Sequence, residues 1–288
     1  MPETHDISAS FVAQYESDVF VAYQMKGSKL RSTVRSKSNV KGESTTFQKV
    51  GKGTAGAKSR HGNVPVMNID HTPVKCTLVD RYAGDYVDKL DELKINHDEK
   101  QVIVDAGAYA LGRETDAQII TELAKTTNTV GDGTAALTKE LVLQAFALMN
   151  GKDVPDDGQR FGVVSPAQWN DLLKIEEFSK SNFIGDDLPF LKGSESRKWL
   201  GITWIMHTGL PIAGTVRSNF IYHKTALGHA SGQDITSDIT WQGEKAAWFI
   251  NNMMSMGACL IDADGVIALK CLDSSGTVVE TDSDEGTE

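Results

Sequence analysis

The positive charge of this chain is concentrated in one segment, and that segment is poorly suited to a compact core. Residues 26–60 contain ten Lys or Arg residues and one acid, Glu43, so the segment carries a net charge of about +9. The whole chain of 288 residues carries −10, which leaves about −19 for the remainder. Charged side chains are rarely buried unless they are paired. We therefore expect the segment to extend from an acidic body and to contact an acidic partner.

Two short apolar runs, residues 45–50 and 64–69, flank a Gly-rich and basic stretch at residues 51–63. Apolar runs separated by turn residues predict a β-hairpin. A hairpin on its own cannot bury its apolar strands. The pattern favours an arm that lies on another copy of the same chain.

Four basic residues of this hairpin, Lys49, Lys52, Lys58 and Arg60, are the candidate inter-subunit contacts. We predict that they meet acidic groups on neighbouring subunits. The alternative partner is nucleic acid, because basic segments often contact phosphate. Phe47 is the only aromatic residue of the segment, so stacking on bases has little support.

The composition is that of a soluble globular protein, with 40% hydrophobic and 24% charged residues. No run of about 18 apolar residues is present, and residues 1–10 lack the pattern of a secretory signal. Cys76, Cys259 and Cys271 form no paired framework, so we predict that they are reduced and buried.

Apolar periodicity predicts four helices. They span residues 7–25, residues 97–125, residues 137–150 and a segment beginning at Ser165. Ser165 is followed by Pro166 and Gln168, which is a strong helix start.

The second of these helices is long for a globular protein, at about 43 Å for a rise of about 1.5 Å per residue. We interpret it as a structural spine that begins at a cap, Asn96. Its predicted buried stripe consists of Ile103, Ala106, Ala110, Ala117, Ile120 and Ala124. Gly107 and Gly112 near this stripe permit close approach of another segment.

Alternating or continuous apolar runs predict strands at residues 74–79, 160–164, 200–206, 235–241, 247–261 and 266–272. The last three are expected to form an antiparallel meander. The sequence DADG at residues 262–265 is interpreted as the hairpin turn between the final two strands.

No motif in the chain establishes catalysis, cofactor binding or a metal site. GKGTAG at residues 51–56 matches a dinucleotide fingerprint but lacks the flanking strand and helix. DADG lacks the remaining ligands of a calcium loop, and the histidines lack zinc spacing. GDGT at residues 131–134 resembles a chaperonin phosphate loop and leaves a phosphate-binding enzyme as an alternative function.

Several longer strings resemble the major capsid proteins of tailed bacteriophages, in particular those of short-tailed phages. They are TFQKVGKG (46–53), KSRHGNVPV (58–66), YAGDYVDKLD (82–91) and DAGAYALGR (105–113). The order of predicted elements along nearly the whole chain is similar as well. The resemblance implies an α+β fold of the Hong Kong 97-like type.

The resemblance also implies a division of the chain into domains. Residues 1–35 correspond to an N-terminal arm and residues 36–71 to an extended β-hairpin loop. A peripheral domain, which contains the spine helix, consists of residues 72–127 and 231–288. Residues 128–230 form an axial domain.

The implied function is mechanical: pentamers and hexamers of the chain close into an icosahedral shell around the phage genome. The implied partners are a portal protein, packaged DNA bound without sequence specificity, and a possible decoration protein. A separate scaffolding protein is expected because the arm begins almost at Met1. The protein would be made in the host bacterial cytoplasm and would reside in the virion capsid.

Some capsid proteins of this fold join a loop Lys to an Asn of a neighbour by an isopeptide bond. Lys49 or Lys52 with Asn251 or Asn252 would supply the residue types. The reaction also needs a carboxylate that takes the proton and a dry pocket. The sequence indicates neither, so we predict a non-covalent shell.

Overall fold

The structure is a computed structural model that describes residues 27–92, 98–179 and 197–273. These residues divide into two compact units. The described part of the smaller unit consists of residues 27–28, 80–92, 98–113 and 234–255. The described part of the larger unit consists of residues 29–79, 114–179, 197–233 and 256–273.

The described residues form strands and α-helices that we number in chain order. The strands are β1 (Arg35–Lys37), β2 (Ser44–Val50), β3 (His71–Thr77), β4 (Val79–Asp88), β5 (Thr129–Val130), β6 (Arg160–Val164), β7 (Arg197–Trp199), β8 (Ile202–Met206), β9 (Ile212–Ala213), β10 (Val216–His223), β11 (Leu227–Gln242), β12 (Ala247–Leu260) and β13 (Val266–Leu272). The helices are α1 (Lys89–Glu92), α2 (Glu99–Leu123), α3 (Lys139–Gly151), α4 (Pro166–Lys174) and α5 (Glu176–Ser179).

A seven-stranded sheet forms the centre of the larger unit, with the order β5-β13-β10-β6-β8-β7 and β9 paired to β10. Successive side chains of a strand point to opposite faces of its sheet. In β10, Ile221 packs into one buried cluster while Phe220 and Tyr222 pack into another. Both faces of the sheet are therefore covered, which explains the runs of consecutive apolar residues in its central strands, such as residues 220–222 and 266–269.

Two helices cover one face of this sheet, and local sequence signals start both of them. The Thr138 side chain accepts a hydrogen bond from the Leu141 N–H and caps α3. The Ser165 side chain accepts one from the Gln168 N–H and caps α4, which begins at Pro166. The predicted helix over residues 137–150 and the predicted start at Ser165 are confirmed.

β2 and β3 form a separate two-stranded antiparallel sheet in which Phe47 is opposite Val74. The predicted strand at residues 45–50 is confirmed, but the predicted strand at residues 64–69 is wrong. Val64 and Val66 are 70% and 84% exposed, so they have no core against which a strand would pack. The hairpin closes instead through β3, and its basic tip spans residues 51–70.

The predicted spine helix is present as α2, but the face that it buries in the larger unit only partly overlaps the predicted stripe. The buried residues of residues 114–123 are Thr115, Asp116, Ile119, Ile120 and Leu123. Ala117, part of the predicted stripe, is exposed. The stripe is displaced because a carboxylate, Asp116, binds backbone groups inside the larger unit.

The predicted cap Asn96 lies outside the described residues, as do the predicted helix at residues 7–25 and the acidic tail from residue 274.

The smaller unit shows why Gly107 of α2 lacks a side chain. A Cβ at Gly107 would lie 2.0 Å from the Asn252 amide nitrogen on β12. At Gly112 a Cβ would lie 2.7 Å from the Gly27 backbone. The predicted close approach at these two glycines is confirmed.

The predicted antiparallel meander at the end of the chain is wrong for its last strand, β13, which does not pair with β12. β11 and β12 are neighbours in a sheet of order β1-β11-β12-β4, whereas β13 belongs to the seven-stranded sheet. Residues 262–265 therefore connect two sheets and do not form a hairpin turn. They contain a short 3-10 helix, Ala263–Gly265, capped by the Asp262 side chain.

Candidate functional site

The base of the β2–β3 hairpin is anchored in the larger unit by an aromatic side chain. Phe47 is 3% exposed and packs in a buried cluster with Cys76, Ala230, Cys259 and Ile261. Burying a Phe side chain contributes about 1.5–3 kcal/mol. The alternation along β2 places Lys49 on the same face as Phe47, with Lys49 half-buried, whereas Gln48 and Val50 are on the opposite, exposed face.

Two lysines of the hairpin reach acidic residues of the same chain. Lys49 Nζ lies 2.7 Å from Asp262 Oδ1, and Lys52 Nζ lies 2.7 Å from Asp153 Oδ2. The first pair is 39% and 35% exposed, and the second is 77% and 78% exposed. The hydrogen bond between Lys52 and Asp153 raises the pKa of the lysine and lowers the pKa of the carboxyl. Because that pair is so exposed, salt screens it strongly.

Three carboxylates, Asp153, Asp262 and Asp264, form what we name the acidic corner. Asp262 accepts the Asp264 N–H at 3.1 Å, which fixes the turn that carries both residues. Asp264 Oδ1 lies 2.6 Å from Lys152 Nζ, which lowers the pKa of Asp264. Lys152 also donates to Asn128 Oδ1 at 2.7 Å. Each carboxylate of the corner therefore has a lysine partner.

A cavity of about 400 Å³ lies between the base of the hairpin and the acidic corner. Its lining includes Lys49, Lys52, Lys152, Asp262 and Asp264. Because these charges are already paired, the cavity does not present an isolated acid, base or nucleophile. Its arrangement suits electrostatic attachment of the hairpin better than catalysis.

His223 lines the same cavity and has a structural role. Its Nδ1 accepts the Thr225 N–H at 3.3 Å, so Nε2 carries the proton and donates to Asp157 Oδ1 at 3.0 Å. This hydrogen bond is the main reason that the pKa of Asp157 is lowered.

The remaining two candidate contact residues lie in the tip of the hairpin. Lys58 and Arg60 are exposed, and residues 63–70 have no helix or strand. Met67 is 49% exposed and lies on the same segment as the exposed Val64 and Val66. The tip thus combines exposed positive charge with exposed apolar side chains.

The alternative chemical motifs do not have the structural context that their chemistry requires. The GKGTAG stretch lies in the tip without regular structure. Asp132 Oδ1 accepts both the Thr134 N–H at 3.0 Å and the Thr134 hydroxyl at 2.7 Å, which lowers the pKa of Asp132. This turn precedes α3 by several residues, so it is not at a helix N-terminus. Within the described ranges no group of three or more His, Cys, Asp or Glu side chains is arranged to hold a metal ion.

One buried carboxylate that the sequence did not reveal organises the start of the described chain. Asp116 is 0% exposed and accepts the Lys29 N–H at 3.0 Å and the Leu30 N–H at 3.1 Å. His207 Nδ1 accepts the Gly209 N–H at 3.0 Å, so its Nε2 donates to Asp116 Oδ2 at 3.2 Å. The only signal in the sequence was an acid beside the apolar positions of the spine.

The family model of the phage capsid protein matches residues 7–273. The chain belongs to this family. The role of this capsid protein is accordingly structural and not enzymatic. Comparison with curated proteins gives no match. None of the described helices has the length and apolar character needed to cross a membrane.

Solved structures confirm that this capsid protein has the Hong Kong 97-like fold, in the α+β class. A chain of the capsid structure of cyanophage P-SCSP1u is 17% identical, with a TM-score of 0.72 over 94% of this chain and 96% of that one. A chain from Mycobacterium phage Che8 is 17% identical, with a TM-score of 0.71 over 90% and 97%. The head structure of Helicobacter pylori bacteriophage KHP40 contains a chain that is 12% identical, with a TM-score of 0.72 over 94% and 98%.

Proposed function

We propose that this capsid protein assembles as pentamers and hexamers that close into an icosahedral shell around the phage genome. Family membership supports the shell-forming role. The hairpin supports this assembly because its base and its tip differ in exposure to solvent. Its base is buried around Phe47, whereas its tip exposes apolar and basic side chains together.

The tip at residues 51–70 is the surface that we assign to contacts between copies. Covering exposed apolar side chains such as Val64 and Val66 with another protein surface lowers the free energy of the system. Positive charge on the tip favours approach to a body whose net charge is negative. Irregular structure allows one segment to adapt to the different environments of pentamers and hexamers.

The basic residues Lys49, Lys52, Lys58 and Arg60 are proposed to meet acidic groups of neighbouring subunits. Lys58 and Arg60 are exposed for such a contact. Lys49 and Lys52 already lie beside Asp262 and Asp153, so a neighbour would add to or exchange these pairs. Each exposed pair is weak and salt-sensitive, but many pairs repeated around a shell add up.

The domain boundaries follow from the resemblance to other capsid proteins. We assign residues 1–35 to an N-terminal arm and residues 36–71 to the extended loop. Residues 72–127 and 231–288 form the peripheral domain, and residues 128–230 form the axial domain.

The further partners are proposed on family membership alone. They are a separate scaffolding protein, a portal protein at one vertex, packaged DNA and a decoration protein. The net charge of −10 supports contact with DNA that is neither extensive nor sequence-specific. Synthesis would take place in the host bacterial cytoplasm, before the protein enters the capsid.

Charge reversal in the tip tests the proposed contacts. The test variant combines Lys58→Glu with Arg60→Glu, and the control combines Lys198→Glu with Lys270→Glu at two exposed strand positions. Both double variants change the net charge by the same amount. A difference in assembly between them therefore reports the position of the reversed charges and not the total charge. Each protein is co-expressed with the phage scaffolding protein, treated with nuclease, and analysed by sedimentation and negative-stain microscopy.

The wild type and the control variant are expected to form shells, while the tip variant remains folded by circular dichroism and fails to assemble. Empty shells of the tip variant at the wild-type yield would contradict the proposed contacts. Loss of assembly by the wild type after nuclease treatment would favour the alternative in which the basic segment binds nucleic acid.

A further inference from the structure

Two thiols lie together where the hairpin meets the rest of the larger unit. Cys76 of β3 is 0% exposed, and Cys259 of β12 is 5% exposed. Both belong to the buried cluster that contains Phe47. The two side chains form a hydrogen bond with each other, and neither cysteine is in a disulfide.

The backbones on either side of this pair are also in close contact. A Cβ added to Gly257 would lie 2.1 Å from the Thr77 carbonyl oxygen. Thr77 directly follows Cys76, and Gly257 precedes Cys259 by two residues. A disulfide requires Cα atoms about 4.4–6.8 Å apart and an S–S bond of about 2.05 Å. This backbone contact and the shared buried cluster bring Cys76 and Cys259 close to each other.

We propose that Cys76 and Cys259 form a reversible disulfide that clamps β3 of the hairpin to β12. The oxidant is a small-molecule disulfide of the glutathione class. The clamp fixes the buried base of the hairpin and leaves the tip at residues 51–70 free to move. It acts on a single chain and does not depend on the proposed assembly.

The bond forms by two thiol–disulfide exchange steps. The Cys76 thiolate attacks one sulfur of the oxidant, which forms a mixed disulfide and releases one thiolate of the oxidant. Cys259 then loses its proton to solvent, and its thiolate attacks the Cys76 sulfur and releases the second thiolate. Two protein thiols are oxidised to one disulfide, and one molecule of oxidant is reduced to two thiols.

The hydrogen bond between the two side chains indicates the order of attack. The Cys259 thiol donates to Cys76, which lowers the pKa of Cys76 and raises the pKa of Cys259. Cys76 is thus the better nucleophile, since the thiolate is the reactive species. Burial means that the base of the hairpin must open briefly to admit the oxidant, so we expect slow formation in the folded protein.

Cys271 provides an internal control. It is buried in a different cluster, on the face of the seven-stranded sheet that α3 and α4 cover. Burial raises the pKa of its thiol to about 12, so it is an unreactive reference for the pair.

The test uses the full-length native protein, incubated with oxidised glutathione until the number of free thiols is constant. The products are alkylated under denaturing conditions and mapped without reduction. We expect loss of two of the three thiols and one cross-linked product that joins the peptides of Cys76 and Cys259. The denaturant midpoint should rise, and dithiothreitol should reverse both changes.

Variants make the assignment specific. Cys271→Ala should retain the cross-link, whereas Cys76→Ala and Cys259→Ala should each abolish it. Cys76→Ser and Cys259→Ser serve as second variants if an alanine variant does not fold, and the mapping of the wild type is decisive in either case. Three unmodified thiols, a mixed disulfide alone, a bridge to Cys271, a bridge between chains, or a bridge without a higher midpoint would each overturn the proposal.

Discussion

Removal of the Asp116 carboxylate should destabilise the larger unit far more than removal of an exposed carboxylate. Asp116 is fully buried and accepts hydrogen bonds from the backbone N–H groups of Lys29 and Leu30 and from His207. In Asp116→Ala these donors lose their acceptor in a place that water does not reach. In Asp116→Asn a single carbonyl oxygen remains, while the new amide group faces other donors.

The size of the effect follows from these contacts. Each buried donor left without an acceptor costs about 1–3 kcal/mol. In Asp116→Ala, the two backbone N–H groups of Lys29 and Leu30 both lose their acceptor. A hydrogen bond to a charged group contributes about 1.5–3 kcal/mol, and the Asp116 carboxylate accepts three. We therefore expect Asp116→Ala to lower the free energy of unfolding by about 3–5 kcal/mol, and Asp116→Asn to lower it by about 1.5–3 kcal/mol.

Urea unfolding followed by tryptophan fluorescence measures this loss. Asp132→Asn is the control, because Asp132 is exposed and the new side chain retains an oxygen that accepts the Thr134 N–H. The control should unfold at the wild-type midpoint. If Asp116→Ala unfolded within about 0.5 kcal/mol of the wild type, the size of an ordinary surface substitution, the anchoring role of this carboxylate would be refuted.

Three further predictions concern packing, pH and covalent chemistry. Gly257→Ala should cost about 1–3 kcal/mol because its Cβ meets the Thr77 carbonyl oxygen, whereas Gly151→Ala, with open space around it, should not destabilise, as thermal unfolding of both will establish. Asp157→Asn should destabilise at pH 7, and the difference from the wild type should vanish as the pH falls through the lowered pKa of Asp157, below its ordinary 3.8; a difference that persisted in acid would exclude the hydrogen bond from His223 as its cause. Denaturing electrophoresis of mature particles should show one band near the chain mass of 31.3 kDa, and a ladder of larger species that survives boiling in detergent would contradict a non-covalent shell.

The covalent alternative has little support in the contacts of Asn252. This residue is 0% exposed, its Nδ2 donates to the Ala83 carbonyl oxygen at 3.2 Å, and its Oδ1 contacts the Ser237 hydroxyl. An amide that is buried and hydrogen-bonded at both ends is a poor acceptor for a lysine from another copy. Its position is explained by packing on Gly107.

Elements with local sequence signals were the ones that the sequence predicted well. The strand Arg160–Val164 has the predicted bounds, and Ser165 caps the helix that was predicted to begin there. The spine was predicted at residues 97–125 and is observed at Glu99–Leu123. These features depend on neighbouring residues, so tertiary contacts are not needed to find them.

Features that depend on distant partners were missed or misplaced. β4 was not predicted because most of its side chains are exposed, so it has no apolar alternation. Val64 and Val66 have strand-like sequence but no surface to cover them within the described chain. The acidic corner was missed because Asp153 and Asp262 are far apart in sequence, and only the fold brings both to the hairpin lysines.

The most direct test of the central claim is the structure of particles formed by this capsid protein, determined by electron cryo-microscopy after co-expression with its scaffolding protein. We predict closed icosahedral shells built of pentamers and hexamers, in which the tip at residues 51–70 of each copy lies on a neighbouring copy. Open or non-closing assemblies, or closed shells in which this tip contacts only its own chain, would contradict the account.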